Sequence, residues 1–95
     1  MALPRRALLG AARETHFASL VVHCRSEQLA AARDAIAGLP GVEVPLGDDN
    51  TKLIALLELH RESELLERMS AIEAVPGVVA ATLVFHQVET GEERA

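Results

Sequence analysis

Apolar residues along this chain recur first at the two-residue spacing of strands and then at the wider spacing of helices, and this alternation marks six elements. Phe17 to His23, rich in apolar and β-branched residues, predicts a strand. Ser26 is the expected N-cap of a following helix, with Glu27 favourable in its first turn. Leu29, Ala32 and Ile36 follow at helical spacing as its inward face, and Gly38 and Pro40 stop it. Val42, Val44 and Leu46 alternate with Glu43 and Pro45, which predicts an edge strand, where proline is tolerated. Gly47-Asp48-Asp49-Asn50 is turn chemistry. Lys52 to Leu59 predicts a central strand. Ser63 is the expected cap of a second helix, with Leu65, Leu66, Met69 and Ile72 as its buried stripe. Pro76-Gly77 ends that helix, and Val79 to His86 predicts the last strand.

The two halves of the chain repeat. Leu39-Pro40-Gly41-Val42 returns 36 residues later as Val75-Pro76-Gly77-Val78. The same offset pairs Leu20 with Leu56, Leu29 with Leu65 and Ile36 with Ile72. Each half reads as strand, helix, Pro-Gly turn, strand. Two such units share one sheet most simply as an α+β, ferredoxin-like βαββαβ fold. Right-handed crossovers then put both helices on one face of a four-stranded antiparallel sheet, with strands one and three central. The expected organisation is an N-terminal arm at 1–15, expected to be flexible, a domain at 16–90 and a short tail at 91–95.

The strands carry more apolar residues than one buried face needs. A half-exposed antiparallel sheet alternates apolar with polar, yet Leu20-Val21-Val22, Leu53-Ile54-Ala55-Leu56-Leu57 and Leu83-Val84-Phe85 are apolar on both parities. Lys52 and Glu58 alternate with Leu53, Ala55, Leu57 and Leu59, which places Ile54, Leu56 and Glu58 on the open face. The repeat then sets Ala18, Leu20 and Val22 beside them, with Ala81, Leu83 and Phe85 from the last strand. A bare apolar face of this width exceeds what monomers usually expose, so a second copy, the chain's own arm or a peptide partner should cover it.

Composition narrows the choice. Phe17 and Phe85 are the only aromatic residues apart from histidine, so the core is aliphatic. A single cysteine, Cys24, excludes a disulfide framework and a Cys-based zinc site, and suits a reducing compartment. The formal net charge is −5. Arg5, Arg6 and Arg13 against Glu14 give residues 1–15 a charge of +2, leaving −7 for the rest. An acidic body without aromatic platforms binds nucleic acid poorly and a basic partner well. No apolar run approaches the roughly 18–20 residues of a membrane span.

The residues Ser19-Leu20-Val21-Val22, Lys52-Leu53-Ile54 through Glu58, Pro76-Gly77-Val78 and Leu83-Val84-Phe85-His86-Gln87 together resemble the NapD family, over about residues 16–90. The resemblance implies a cytoplasmic chaperone for the catalytic subunit of the periplasmic nitrate reductase. Such a chaperone binds that subunit's twin-arginine signal peptide as a helix on the sheet surface. It delays export through the Tat pathway until the molybdenum cofactor is inserted and folding is complete. The expected contacts are Ala18, Leu20, Val22, Ile54, Leu56, Leu83 and Phe85 for the apolar stretch, Glu58 for the arginines, and His86 from the terminal strand motif. Glu43, Asp48 and Asp49 are further carboxylates on the loop side. No resident cofactor and no membrane span are expected, and the chain should be a monomer or weak homodimer.

Other residues have plain structural readings. His16, His23, His60 and His86 lack metal-ligand spacing, and His23, His60 and His86 read as strand-end residues. Arg25 follows the first strand without a glycine-rich loop, which argues against a phosphate-handling enzyme. The alternative function is an ACT-like regulatory domain that senses a small molecule as a dimer. Arg5-Arg6 followed by Ala7-Leu8-Leu9-Gly10-Ala11-Ala12 looks like a shortened twin-arginine leader, too short to act as one.

Overall fold

The computed structural model describes residues 14–45 and 51–90. Strand β1 (Glu14–Cys24) leads through a 3₁₀ turn (Ser26–Gln28) into helix α1 (Leu29–Ala37), then to a short β2 (Val42–Glu43). The second half repeats this as β3 (Lys52–Leu59), α2 (Glu62–Glu73) and β4 (Val78–Thr90). All pairings are antiparallel, in the order β2-β3-β1-β4, so β1 and β3 are central as expected.

Strict alternation along the central strands sets the core. Ala18, Leu20, Val22 and Cys24 of β1 and Leu53, Ala55, Leu57 and Leu59 of β3 form one buried sheet face. Ala32 and Ile36 of α1 and Leu65 and Ile72 of α2 join the same cluster, so both helices cover that face. Each fully buried Leu or Ile contributes about 1.5–3 kcal/mol of transfer free energy. Leu29 and Met69 are partly buried against this core, whereas Leu66, expected in the stripe of α2, is 60% exposed. The stripe is narrower than its sequence suggests because α2 lies against the sheet on one side only.

The two Pro-Gly turns are the same device used twice. The carbonyl of Leu39 accepts from the Val42 N–H at 3.2 Å, and that of Val75 from the Val78 N–H at 3.1 Å. Proline supplies the second residue of each turn and glycine the third, at φ +79° for Gly41 and +95° for Gly77. A Cβ on Gly41 would stand 2.6 Å from Leu59 Cδ2 and 2.9 Å from the Glu58 carbonyl oxygen, so both conformation and space require glycine there.

Both helix starts differ from expectation. Ser26 lies inside the 3₁₀ turn, its hydroxyl 3.4 Å from Glu27 Oε1, and does not cap α1. Ser63 lies inside α2, whose N-cap is Arg61. The first turn of α2 is instead closed by Glu64, whose Oε1 accepts from the backbone N–H of His60 at 3.0 Å. That bond, with Arg61 and Arg68 near, holds the carboxyl below its usual range. The outer strands of each half depart in opposite directions. β4 runs to Thr90, four residues past His86, because β1 begins at Glu14 and offers it a partner along its whole length. β2 pairs only at Val42 and Glu43; Val44 packs on the core, Pro45 has no N–H to donate, and Leu46 and the Gly47–Asn50 turn lie outside the described residues.

Candidate functional site

The sheet face away from the helices carries no element among the described residues. Because directly opposed residues point to the same face, the register names its members row by row. Lys52, His23 and Ala80 form the row at one end; Ile54, Val21 and Thr82 the next. Glu43, Leu56, Ser19 and Phe85 cross all four strands, and Glu58, Phe17 and Gln87 follow. Thr15 and Glu89 stand at the far end. The centre is apolar: Ile54 is 43%, Leu56 38% and Phe85 49% exposed, with Phe17 and Val21 half-buried between them.

Sequence reasoning placed Ile54, Leu56, Glu58 and Phe85 on this face, and they are there. Ala18, Leu20 and Val22 are not: they are 3%, 0% and 0% exposed beneath the helices and cannot touch a partner. The repeat misled at this point. Ile36 and Ile72 are equivalent in the two helices, but Cys24, the last inward residue of β1, lies 12 residues before Ile36, and Leu59, its counterpart in β3, lies 13 before Ile72. One residue of difference reverses a strand's faces. The β1 residues on the open face are therefore Phe17, Ser19, Val21 and His23. Their own pattern signals it, since Ser19 and His23 interrupt this row while Ala18, Leu20, Val22 and Cys24 are uniformly apolar.

The last strand contains a bulge. Leu83 pairs with Leu20 and Phe85 with Ser19, leaving Val84 without a counterpart. Ala81, opposite Val22, packs on the core, and Leu83, in the row of Leu20, stays 38% exposed. Only Phe85, past the bulge, lies in the open-face row assigned to all three.

His86 is also reassigned. It lies opposite Ala18, on the helix side, and its Nε2 is 3.0 Å from Nδ1 of His16. His16 is 4% exposed, and its Nε2 donates to Glu14 Oε1 at 3.1 Å. With neutral rings, His86 Nε2–H is the donor to His16. This chain of three residues fastens β1 to β4 on the face opposite the apolar surface. Neither the contact nor the burial of His16 is readable from spacing alone, because the two histidines are 70 residues apart. Cys24 is buried, which pushes its thiol up and keeps it protonated and unreactive.

At one edge of the face lies a pocket of about 490 Å³ lined by Phe17, Gly41, Val42, Glu43, Leu56, Leu57 and Glu58. The Glu58 N–H donates to the Gly41 carbonyl at 2.9 Å, which extends the β2–β3 pairing and holds the Pro40-Gly41 turn against the end of β3. Arg68 of α2 steadies the turn from the other side, its Nε donating to the Pro40 carbonyl at 2.8 Å. The pocket thus has an aromatic and aliphatic floor and two exposed carboxylates, Glu43 and Glu58. Glu89 adds a third negative charge to this end of the face. The only lysine among the described residues, Lys52, stands at the other end beside His23. The face is an apolar strip with an acidic pole and a basic one. Among the described residues no helix is long and apolar enough to cross a membrane.

The family model for NapD protein matches residues 15–90. Chaperone NapD of Escherichia coli strain K12 is 35% identical over 77 residues, spanning 79% of this chain and 88% of that one. Chaperone NapD of Haemophilus influenzae is 27% identical over 81 residues, 84% of this chain and 87% of that one. Among solved structures, that of the E. coli Tat proofreading chaperone protein NapD superposes with a TM-score of 0.70 at 32% identity, covering 85% of this chain and 87% of that one.

Proposed function

This chain belongs to the NapD family, and from that premise we propose that its open sheet face binds the twin-arginine signal peptide of the periplasmic nitrate reductase catalytic subunit. Members of the family are chaperones, not enzymes. The observation that carries the reading is the acidic pocket of Glu43 and Glu58 at one end of the apolar strip formed by Phe17, Val21, Ile54, Leu56 and Phe85. A twin-arginine leader has the complementary order, two adjacent guanidinium groups followed by an apolar helical stretch.

Each part of the leader has a physical counterpart. A guanidinium in the pocket can donate two parallel hydrogen bonds to a carboxylate and lie against the Phe17 ring. Lysine cannot reproduce the planar fork. The apolar stretch lies on the strip as a helix laid into a groove. The poles fix its direction: arginines at Glu43 and Glu58, helix running toward His23 and Lys52. Occupied this way, the leader is withheld from the export machinery. Release after the subunit has folded and taken up its cofactor completes the proofreading role, which belongs in the cytoplasm.

Calorimetric titration with the leader of a periplasmic nitrate reductase tests this. The expected result is one-to-one binding with Kd on the order of 1 μM or tighter, about −8 kcal/mol. Replacing both leader arginines by lysine, or Glu58→Gln together with Glu43→Gln in the chaperone, should weaken it by about 10-fold or more. Binding that ignores all of these changes would remove the pocket from the mechanism. No binding at all would favour the small-molecule-sensing alternative, to be tested by titration with free amino acids.

A further inference from the structure

β1 enters the sheet at its acidic pole. Its first open-face residues are Thr15, opposite Glu89, and Phe17, opposite Glu58. Whatever precedes Glu14 is therefore tethered beside the pocket. Residues 1–13 lie outside the described part of the fold, but their sequence is known: Arg5, Arg6 and Arg13 with no acidic residue, and Ala7-Leu8-Leu9-Gly10-Ala11-Ala12 between. The arm is anchored by its C-terminal end, so its apolar run lies nearer Glu14 than its arginine pair does, and the chain must fold back to bring Arg5 and Arg6 to the acidic pole.

We propose that residues 5–12 of this chain occupy its own open face, Arg5 and Arg6 at Glu43 and Glu58, as an internal competitor of the incoming peptide. The tether allows it. Eight Cα-to-Cα steps separate Arg6 from Glu14 and span up to about 27 Å when extended, enough to pass over the nearer rows of the strip and return. The row of Phe17 and Glu58 lies only about 10 Å along β1 from Glu14. Charge favours this occupant: the arm brings two adjacent arginines to Glu43 and Glu58, whereas a second copy of the folded domain offers that pole only Lys52 and His23.

Tethering gives the arm an effective concentration on the order of 1 mM at the site. A contact with an intrinsic Kd of about 0.1–0.5 mM is then mostly formed, yet it raises the apparent Kd of a free leader only about 3- to 10-fold. The arm would screen the apolar strip while the chaperone is empty and yield to a long leader, which covers more of the surface. The docking stands on the face and the tether; only the competition rests on the function proposed above.

The experiment compares backbone amide shifts of the full chain, Arg5→Gln/Arg6→Gln and a form lacking residues 1–13, and titrates each with the leader peptide. The expected result is that both changes shift amides of Ser19, Leu56, Glu58 and Phe85 and spare α1 and α2. Leader affinity should tighten about 3- to 10-fold. The full-chain shifts should not change on dilution. Shifts confined to Glu14, Thr15 and Glu89 would overturn the proposal, since loss of a neighbour alone explains them. Open-face shifts that disappear on dilution would also overturn it, by placing the arm on another molecule. Open-face shifts without leader binding in any form would uphold the docking and overturn the leader reading instead.

Discussion

Leu20 and Leu56 are the same residue type at corresponding positions of the repeat, on neighbouring strands, and they do opposite jobs. Leu20 is fully buried under the helices; Leu56 stands on the open face beside Glu43 and Ser19. Leu20→Ala should cost about 2–5 kcal/mol, lowering Tm by about 10–40 °C in a domain of this size, and leave leader affinity unchanged for the fraction that folds. Leu56→Ala should change stability by about 1 kcal/mol or less and weaken leader binding severalfold. Thermal melts and titrations of the two variants read this double dissociation; equal losses of stability would show that the faces have been assigned wrongly. Glu58 and Phe17 were separable by sequence only in part. A lone exposed glutamate on an alternating strand was legible as open-face, whereas Phe17 needed the correct register of β1.

The elements are joined by devices that recur and by one that does not. The Pro-Gly turn ends both helices with the same geometry, and its first copy also builds the rim of the pocket through Gly41. The helix starts are not repeated: α1 is entered through a 3₁₀ turn, α2 through the Glu64 carboxylate on the His60 N–H. Because that bond favours the charged carboxylate, the Glu64 acidity is increased in the folded state. Its contribution to stability is complete above the carboxylate range of the unfolded chain and disappears as pH falls through the lower folded value. Glu64→Gln should therefore lower Tm at about pH 7, and the difference should shrink as pH falls through and below the carboxylate range. Melts of both proteins across that range check it, and a gap that persists in acid would assign the effect to helix packing instead. Serines at positions 26 and 63 carry the right chemistry for caps, but the N-cap positions fall on Gln28 and Arg61, each two residues from the serine.

At the scale of the molecule, one sheet divides two tasks. The helix-covered face supplies stability through an aliphatic core, and the opposite face stays apolar and uncovered among the described residues, the mark of an interaction surface. In the form lacking residues 1–13, the uncovered strip of Ile54, Leu56 and Phe85 should drive weak, concentration-dependent self-association. Sedimentation across a dilution series should show it, and saturating leader should abolish it, because both use one surface. A dimer that takes up leader without dissociating would place the self-contact elsewhere, the long outer edge of β4 being the next candidate. Polarity of the face is also a whole-molecule property. Glu43, Glu58 and Glu89 come from three strands, and only the antiparallel order brings them to one pole with Lys52 at the other.

By itself the sequence determined the element order, the central position of β1 and β3, the two Pro-Gly turns and the existence of an apolar face beyond the core's needs. These depend on local periodicity and turn chemistry, which act over a few residues. The alternation of β3 also placed Ile54, Leu56 and Glu58 on that face, whereas the tertiary structure alone decided which residues of β1 and β4 join them. Side-chain direction in a strand reverses with every residue, so a one-residue difference in the strand-to-helix connection moved Ala18, Leu20 and Val22 from surface to core. The bulge at Val84 did the same within β4, returning Phe85 to the open side and turning His86 toward His16. Pairing across about 30 to 75 residues of chain sets these registers, and local patterns such as the Ser19 and His23 interruptions of β1 signal them only in part.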